Sequence, residues 1–207
     1  MSNSNSECHS ITSPNLMSQI RRTSNRSYIR KTTGFVGLHA HSYFSLLDGF
    51  RSPTELVNCV AELGQPAIAL TDHGGMWGAV ELMTACERRG ITPIVGNEMY
   101  LKDEPATQRL KEYVGDGDYK VKSRYHQSVL AVSREGYENL CKLTSDSYLL
   151  SSEKVRSKVY PLVTKEDLAR HKEGLVLTSG CLAGLVCQGV LSGDLEFAKD
   201  TAKWYKD

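Results

Sequence analysis

Short apolar runs alternate along the chain with longer stretches in which apolar residues recur every three or four positions. The runs "FVGL", "AIAL", "ITPIV", "SVLAV" and "GLVL" are typical of buried strands, whereas the stretches between them are typical of amphipathic helices. Alternation of this kind predicts an α/β fold built on a largely parallel sheet or barrel.

Local signals mark the helix boundaries. In "SPTELVNCVAELG", Ser52 is placed to cap a helix that has Pro53 in its first turn, Glu55 closing a capping box and Gly64 as its stop. Further helices are predicted over residues 76–89, 134–149, 182–190 and 194–206, with a short capped helix in "TKEDLARHKEG". Residues 102–124 are charged and contain glycine without a regular period, so they predict a long surface loop.

The first 33 residues differ in composition from the rest of the chain. They are rich in Ser and Asn and contain five basic residues against Glu7, so residues 1–33 are expected to form a disordered basic leader. Its arginines could contact nucleic acid phosphates, although a solvated tail is the favoured interpretation. Because the whole chain has a formal net charge of only +1, residues 34–207 carry a slight negative charge. These residues form the one predicted domain.

Composition limits the expected location of the protein. With 207 residues, 40% hydrophobic and 24% charged, the chain is typical of a globular protein. No apolar run approaches the ~18 residues of a membrane span, and the N-terminus lacks the apolar stretch of a signal peptide. The six cysteines include no C-x-x-C pair, which suits a reducing compartment. We therefore expect a cytoplasmic protein with no membrane partner.

Side chains of metal-ligand type recur at or beside the ends of the apolar runs. They are His39, His41, Asp48, His73, Glu98, His126 and Cys181. In "LHAH" the two histidines are two residues apart on a strand-like run, so both can point to one face and bind the same ion. Because strand ends are where α/β folds hold their chemistry, these side chains predict a multinuclear metal site that activates water.

A single histidine is more often a surface or hydrogen-bonded residue than a ligand, and His9 and His171 are interpreted in that way. The recurrence of carboxylate, imidazole and thiolate after successive apolar runs is harder to explain as core packing. Buried polar groups are costly unless they are paired or bound to a metal. The combined pattern therefore favours a metal site.

Two residues near this pattern have open interpretations. His126 precedes its apolar run rather than following it, so either its strand is reversed or the preceding loop folds over the site. Asp72 is interpreted either as orienting a ligand or as capping the next helix, and it stays outside the ligand set.

The segments "LHAHSYFSLLDG", "ALTDHGGMWGA", "GITPIVGNEMY", "HQSVLAVSREGYENLCKLTS" and "GLVLTSGCLAG" resemble the successive motifs of the PHP (polymerase and histidinol phosphatase) domain family. Within that family, "SLLDG", the "DHG" turn and "GYENLCKL" resemble the branch found at the N-terminus of bacterial DNA polymerase III alpha subunits. The resemblance covers about residues 35–205.

The resemblance implies a distorted (β/α)7-type barrel with up to three divalent metal ions at one end. Carried over by position, the ligands would be His39 and His41 for one ion, Asp48 and His73 for another, Glu98 as a bridge, and His126 with Cys181 for a third. This set of nitrogen, oxygen and thiolate ligands fits Zn best, with Mn or Fe also possible. An all-oxygen Mg site would not use a thiolate.

The same resemblance implies a role in DNA replication, with metal-dependent phosphoester hydrolysis in the form of 3′-5′ exonuclease proofreading. The implied partners are the DNA primer terminus, the remaining polymerase domains or a split-gene partner, and other replisome subunits. Two alternatives stay open. One is a catalytically silent PHP scaffold that supports the polymerase, and the other is a stand-alone PHP-family phosphatase.

One feature of this branch is missing, because no Asp-x-His motif follows Cys181. We therefore expect residues 34–207 to form a C-terminally incomplete PHP domain that lacks its last strand. The 207 residues also leave no room for the paired carboxylates and further domains of a polymerase. This span is thus expected to have no polymerase active site of its own.

Overall fold

The computed structural model describes residues 34–206, so the leader predicted over residues 1–33 lies outside the described residues. In chain order the elements are helix α1 (Pro53–Glu62), strand β1 (Ala67–Leu70), helix α2 (Ala79–Arg89), strand β2 (Thr92–Leu101), helix α3 (Glu104–Val114), strand β3 (Tyr125–Ala131), helix α4 (Arg134–Leu149), strands β4 (Glu153–Val155), β5 (Lys158–Tyr160) and β6 (Leu162–Val163), helix α5 (Lys165–Arg170), strand β7 (Leu175–Thr178), and helices α6 (Leu185–Ser192) and α7 (Leu195–Trp204). This alternation confirms the predicted α/β fold.

The main sheet has the order β1-β2-β3-β7, with β6 also paired to β2. Strands β1 and β6 run parallel to β2, whereas β3 runs antiparallel to both β2 and β7. Four of these five strands therefore share one direction and β3 alone is reversed. Of the two explanations for the placement of His126, the reversed strand is the correct one.

Helices α1, α2 and α4 pack against strands of this sheet, whereas α6 packs mainly against α7. Strand β1 is buried along its whole length. Helices α1, α2, α3, α4 and α6 each contribute a side chain with no exposed surface: Val57, Leu82, Leu110, Leu140 and Leu185. Burial of each such side chain contributes about 1.5–3 kcal/mol relative to its exposure. Across residues 34–206, no helix combines the length and hydropathy that a membrane span requires.

Helices with strong capping signals begin where the sequence predicts. The Ser52 hydroxyl accepts from the Glu55 amide, and the Glu55 side chain accepts from the Ser52 amide, so the capping box of α1 is complete. Helix α4 occupies the predicted residues 134–149. Helix α2 begins at Ala79 rather than at residue 76, because the preceding residues form a turn, and it ends at Gly90 in the left-handed conformation.

The prediction of a long irregular loop over residues 102–124 is wrong in its first half, which forms helix α3. The Asp103 side chain accepts from the Ala106 amide and Pro105 lies in the first turn. Both are signals of a helix start, but the segment has no regular repeat of apolar residues to indicate a helix. Only a narrow face of α3, including Leu110, is buried. A helix with such a narrow apolar face and many charged residues resembles a loop when only periodicity is considered.

Replacing Leu110 with Ala is expected to lower the free energy of unfolding by about 2–5 kcal/mol, because this fully buried side chain leaves a cavity that the core closes only partly. Lys111→Ala is the matched control, since Lys111 is exposed on the same helix. Urea unfolding followed by circular dichroism gives both values. Equal values for the two variants would show that α3 does not belong to the cooperative core.

Candidate metal centre

The centre lies where β1 and β2 end on the same side of the sheet. Glu98 is near the end of β2, and His73 follows β1 and forms a parallel bridge with Glu98. Two backbone bonds fix this bridge, from the Gly74 amide to the Glu98 carbonyl (2.9 Å) and from the Glu98 amide to the Asp72 carbonyl (3.1 Å). The parallel strand direction therefore brings together two candidate ligands that are 25 residues apart in the chain.

Glu98 is the central side chain, with only 1% of its side-chain surface exposed. Its Oε1 lies 3.3 Å from His39 Nε2 and 3.2 Å from His126 Nδ1. Its Oε2 lies 3.3 Å from His41 Nε2 and 2.8 Å from His73 Nδ1. Four imidazoles from three separate parts of the chain thus surround one carboxylate.

Asp48 and Cys181 lie at the edges of this arrangement. Asp48 Oδ2 is 2.7 Å from His73 Nε2, and Cys181 Sγ is 3.5 Å from His126 Nδ1. The structure therefore brings all seven candidate ligands into one cluster around Glu98. Their binding of metal stays a prediction.

Three groups of three ligand atoms are compact enough to hold an ion, with all atoms of a group within 4.8 Å of one another. They are His39 with His41 and Glu98, His41 with Asp48 and His73, and His73 with Glu98 and His126. Glu98 belongs to two of the groups, as a bridging ligand would. Cys181 lies outside all three, although it is beside His126.

The paired histidines share one face because the residue between them is hydrogen-bonded to Thr71, the residue that follows β1. The Ala40 amide donates to Thr71 Oγ1 at 3.2 Å, and the Thr71 amide donates to the Ala40 carbonyl at 2.9 Å. His39 Nε2 and His41 Nε2 are consequently 3.0 Å apart. This is the convergence that the H-x-H spacing predicts for one face of an extended segment.

Asp72 orients His41 through hydrogen bonds to two serines. Its Oδ1 accepts from the Ser42 amide and from Ser45 Oγ, each at 2.7 Å, and its Oδ2 accepts from Ser42 Oγ at 2.7 Å. The Ser45 hydroxyl has given its one hydrogen to Asp72, so it accepts from His41 Nδ1 (3.0 Å) and from the His73 amide (3.1 Å). His41 Nδ1 therefore carries a hydrogen, and Nε2 is the ring nitrogen that faces the cluster.

This arrangement decides between the two interpretations of Asp72. The residue orients a candidate ligand through Ser45, as metal-site histidines are commonly oriented by a second hydrogen bond. The alternative, that Asp72 caps the next helix, is wrong, because α2 has Gly78 at its N-cap without a side-chain hydrogen bond.

The surrounding charges keep both carboxylates ionised. Burial alone would raise the pKa of Glu98, but the adjacent imidazoles, His126 first, outweigh it and hold that pKa far below its ordinary value. The same proximity to Glu98 raises the pKa of His39 and that of His73, while His73 lowers the pKa of Asp48. Ionised carboxylates are the form that binds cations.

The donor atoms of the cluster fit a divalent metal ion. Among residues 34–206, both Glu98 oxygens and His73 Nδ1 are buried without a partner in hydrogen-bonding geometry. A buried carboxylate in that condition is unfavourable unless an ion or a proton compensates it. Imidazole nitrogen, carboxylate oxygen and a cysteine sulfur are together the donor set of transition-metal sites.

The sequence pattern did not identify three residues that support the centre: Ser42, Ser45 and Tyr100. The Tyr100 ring stacks on His73 at 6.1 Å between centroids and meets the His126 ring edge-on at 5.4 Å. One signal could have found it, because Tyr100 is two residues after Glu98 on β2 and so faces the same side. Burial raises the pKa of Tyr100 to about 12, so its hydroxyl stays protonated near neutral pH.

Replacing Ser45 with Ala is expected to weaken metal binding about 10- to 100-fold, as loss of a hydrogen bond that orients a ligand commonly does. His41 then loses the acceptor that fixes its proton at Nδ1. Metal titration of the chain measures the affinity, and long-range ¹H–¹⁵N correlation spectra of the metal-free chain measure the His41 tautomer. Ser145→Ala is the matched control, because that exposed hydroxyl donates to the Cys141 carbonyl within α4. Unchanged affinity and tautomer in Ser45→Ala would contradict this role.

The chain is similar in sequence to several bacterial DNA polymerase subunits. The chain is similar to the DNA polymerase III subunit alpha of Treponema pallidum, with 41% identity over 173 residues that cover 83% of this chain and 14% of that protein. It is also similar to the subunits of the same name from Borreliella burgdorferi, at 36% identity over 83% of the chain and 14% of that protein, and from Thermus aquaticus, at 37% identity over 80% and 13%. The chain thus spans about one seventh of the length of these relatives.

The family profile described as "PHP domain" matches residues 37–207. That span contains each of the seven candidate ligands and every helix and strand of the described fold. The chain therefore belongs to the PHP domain family.

Proposed function

We propose that this chain is the N-terminal PHP domain of a replicative DNA polymerase III alpha subunit, and that it hydrolyses phosphodiesters as a metal-dependent 3′-5′ exonuclease. The observation that carries the chemical part is the buried Glu98 carboxylate among four imidazoles. The polymerase context is supported by the relatives, each named as a DNA polymerase III subunit alpha.

Each ion would be held by its own group of candidate ligands. His39 and His41 would share one ion with Glu98, Asp48 and His73 would share a second, and His126 with Cys181 would take a third. We propose Zn, with Mn or Fe as alternatives, because the set combines nitrogen, oxygen and sulfur. Bound divalent ions at such a cluster supply an activated water and neutralise the phosphodiester charge.

The chain's own side chains then have positioning roles. Glu98 keeps the imidazoles around a single point, and Asp72 with Ser45 holds the His41 ring in one tautomer. Tyr100 packs on His73 and His126 and restricts their rotation. This chemistry requires no separate side-chain nucleophile.

We further propose a cytoplasmic location and three kinds of partner: the DNA primer terminus, the other polymerase domains or a split-gene partner, and other replisome subunits. The relatives support this context, because this chain corresponds to about one seventh of their length. Nucleotide addition by the polymerase would depend on residues outside this span.

The proposal is tested on the 207-residue chain, stripped of metal and then supplied with Mn or Zn. A 5′-labelled single-stranded DNA is expected to shorten one nucleotide at a time, and a chelator is expected to stop the reaction. A His73→Asn preparation purified in parallel controls for contaminating nuclease. Hydrolysis of p-nitrophenyl phosphate alone would favour the stand-alone phosphatase. Tight metal binding that raises the melting temperature, without any hydrolysis, would favour the scaffold.

A further inference from the structure

Strands β4 and β5 form a two-stranded hairpin with the register Glu153 to Tyr160 and Val155 to Lys158. Three cationic side chains, Lys154, Arg156 and Lys158, are exposed along it. In the part of the chain that the structure describes, none of the three forms an ion pair with a carboxylate. We refer to residues 153–160 together with Arg124 as the basic hairpin.

Two cations of the basic hairpin converge on one aromatic ring. The Arg124 guanidinium lies 4.3 Å from the centre of the Tyr160 ring, and the Lys158 ammonium lies 4.9 Å from it. Glu153 is the one acidic residue of the hairpin, and it lies 3.4 Å from Arg124. The cations therefore outnumber the carboxylates at this surface.

The basic hairpin is joined to the metal centre through Tyr100. The Tyr160 ring meets Tyr100 edge-on at 5.3 Å, and Tyr100 in turn contacts the His73 and His126 rings. The turn after His73 is equally close, because a Cβ on Gly74 would come within 2.8 Å of Pro161. The base of the hairpin is thus packed against the turn that carries a candidate ligand.

The tip of the hairpin has an unusual residue for its backbone conformation. Arg156 has φ of +56°, in the left-handed region that favours glycine or asparagine. Residues held in such conformations are concentrated at functional sites. A long cation thus occupies a turn position where glycine would fit without strain.

We propose that the basic hairpin binds the phosphate backbone of a single-stranded DNA whose 3′ end enters the metal centre. A phosphomonoester would need charge at the centre alone, whereas several cations leading away from it match the repeated charges of a polynucleotide. The charge is local, since the 207-residue chain has a net charge of only +1. This inference rests on the proposed function for the choice of DNA and for the direction of the strand.

The test compares two triple variants of the full chain with equal charge change. The hairpin variant combines Lys154→Ser, Arg156→Ser and Lys158→Ser, and the control combines Arg88→Ser, Arg89→Ser and Lys142→Ser. The control residues are exposed and are not part of the basic hairpin. Arg88 and Arg89 end the helix before β2, at the opposite end of that strand from Glu98.

Binding of fluorescent oligo-dT is measured by anisotropy in EDTA over a series of salt concentrations, so that cleavage cannot occur. The hairpin variant is expected to lose at least ~10-fold in affinity at low salt, and its salt slope is expected to fall by about 2, at about 0.7 per lost phosphate contact. The control is expected to match the wild type in both. Melting temperatures of all three proteins exclude loss of fold.

The single variant Arg156→Gly separates loss of a cation from loss of stability, because glycine removes the backbone strain at this position. It is expected to bind about 3-fold more weakly than the wild type at low salt, as loss of one phosphate contact would give, without a lower melting temperature. Weaker binding that accompanied a lower melting temperature in both hairpin variants would overturn the inference, as would unchanged binding.

Failure of the inference and failure of the proposed function are distinguishable. If the hairpin variant binds oligo-dT like the wild type, the inference is overturned even when the wild type hydrolyses DNA. If the wild type hydrolyses no phosphoester but its binding depends on the hairpin, the binding of the phosphate backbone by the hairpin stands, whereas the exonuclease proposal fails and the direction of the strand fails with it. Hairpin-dependent binding that is tighter for an RNA oligomer than for DNA would overturn the choice of DNA.

Discussion

Glu98→Gln is expected to lower metal-dependent phosphoester hydrolysis by at least about 100-fold while the fold persists. Gln has nearly the volume of Glu but lacks its charge, and the side chain is 1% exposed, so no solvent replaces the lost carboxylate. Glu98 also belongs to two of the three groups of candidate ligands. A single substitution therefore disturbs two ion sites at once.

Elemental analysis, hydrolysis rates and far-UV circular dichroism are measured on the same preparations. Glu87→Gln is the matched control, since it makes the same chemical change at an exposed position near the end of α2. His171→Gln, which replaces the C-cap residue of α5, is also expected to leave hydrolysis unchanged. If Glu98→Gln retained activity within 10-fold of the wild type, the cluster would not be the catalytic site.

Elements with local signals were predictable from the sequence. The capping boxes at Ser52 and Thr164 join residues three positions apart, so their information lies within one turn of helix. The ends of α1 and α2 were predictable for a similar reason, because Gly64 and Gly90 adopt the left-handed backbone conformation that favours glycine. The grouping of the candidate ligands was predictable as well, since they recur at or beside the ends of apolar runs.

What could not be predicted depends on contacts between distant residues. Nothing near Asp72 in the chain indicates that it accepts from Ser42 and Ser45, which precede it by 30 and 27 residues. The direction of β3 is set by pairing with β2 and β7, and an apolar run has no intrinsic direction. Helix α3 was missed because tertiary packing, rather than a wide apolar face, stabilises it.

Gly49→Ala is expected to impair metal binding although it leaves every candidate ligand in place. A Cβ at this position would lie 2.2 Å from the Ser42 carbonyl oxygen and 2.8 Å from the His41 carbonyl oxygen. Both are backbone atoms that cannot rotate away. The loop is also closed tightly, with the Asp48 and Gly49 amides both donating to the Ser45 carbonyl at 3.0 and 2.9 Å.

The added methyl group therefore forces apart two segments that each carry candidate ligands, one with Asp48 and the other with His41. Overpacking of this kind costs about 1–3 kcal/mol, and each kcal/mol corresponds to about 2–4 °C in melting temperature for a chain of this size. Displacement of Asp48 from His73, now 2.7 Å away, is expected to weaken binding of at least one ion about 10-fold or more.

Gly37→Ala separates this steric effect from a general cost of replacing glycine near the centre. Gly37 is two residues before His39, and a Cβ there would meet nothing within 4 Å among the described residues. Its metal affinity and melting temperature are expected to match the wild type within error. If Gly49→Ala behaved like Gly37→Ala in metal titrations, the position of Asp48 would not matter for ion binding. The assignment of a second ion to Asp48 and His73 would then be wrong, whereas the ion shared by His39, His41 and Glu98 would be unaffected.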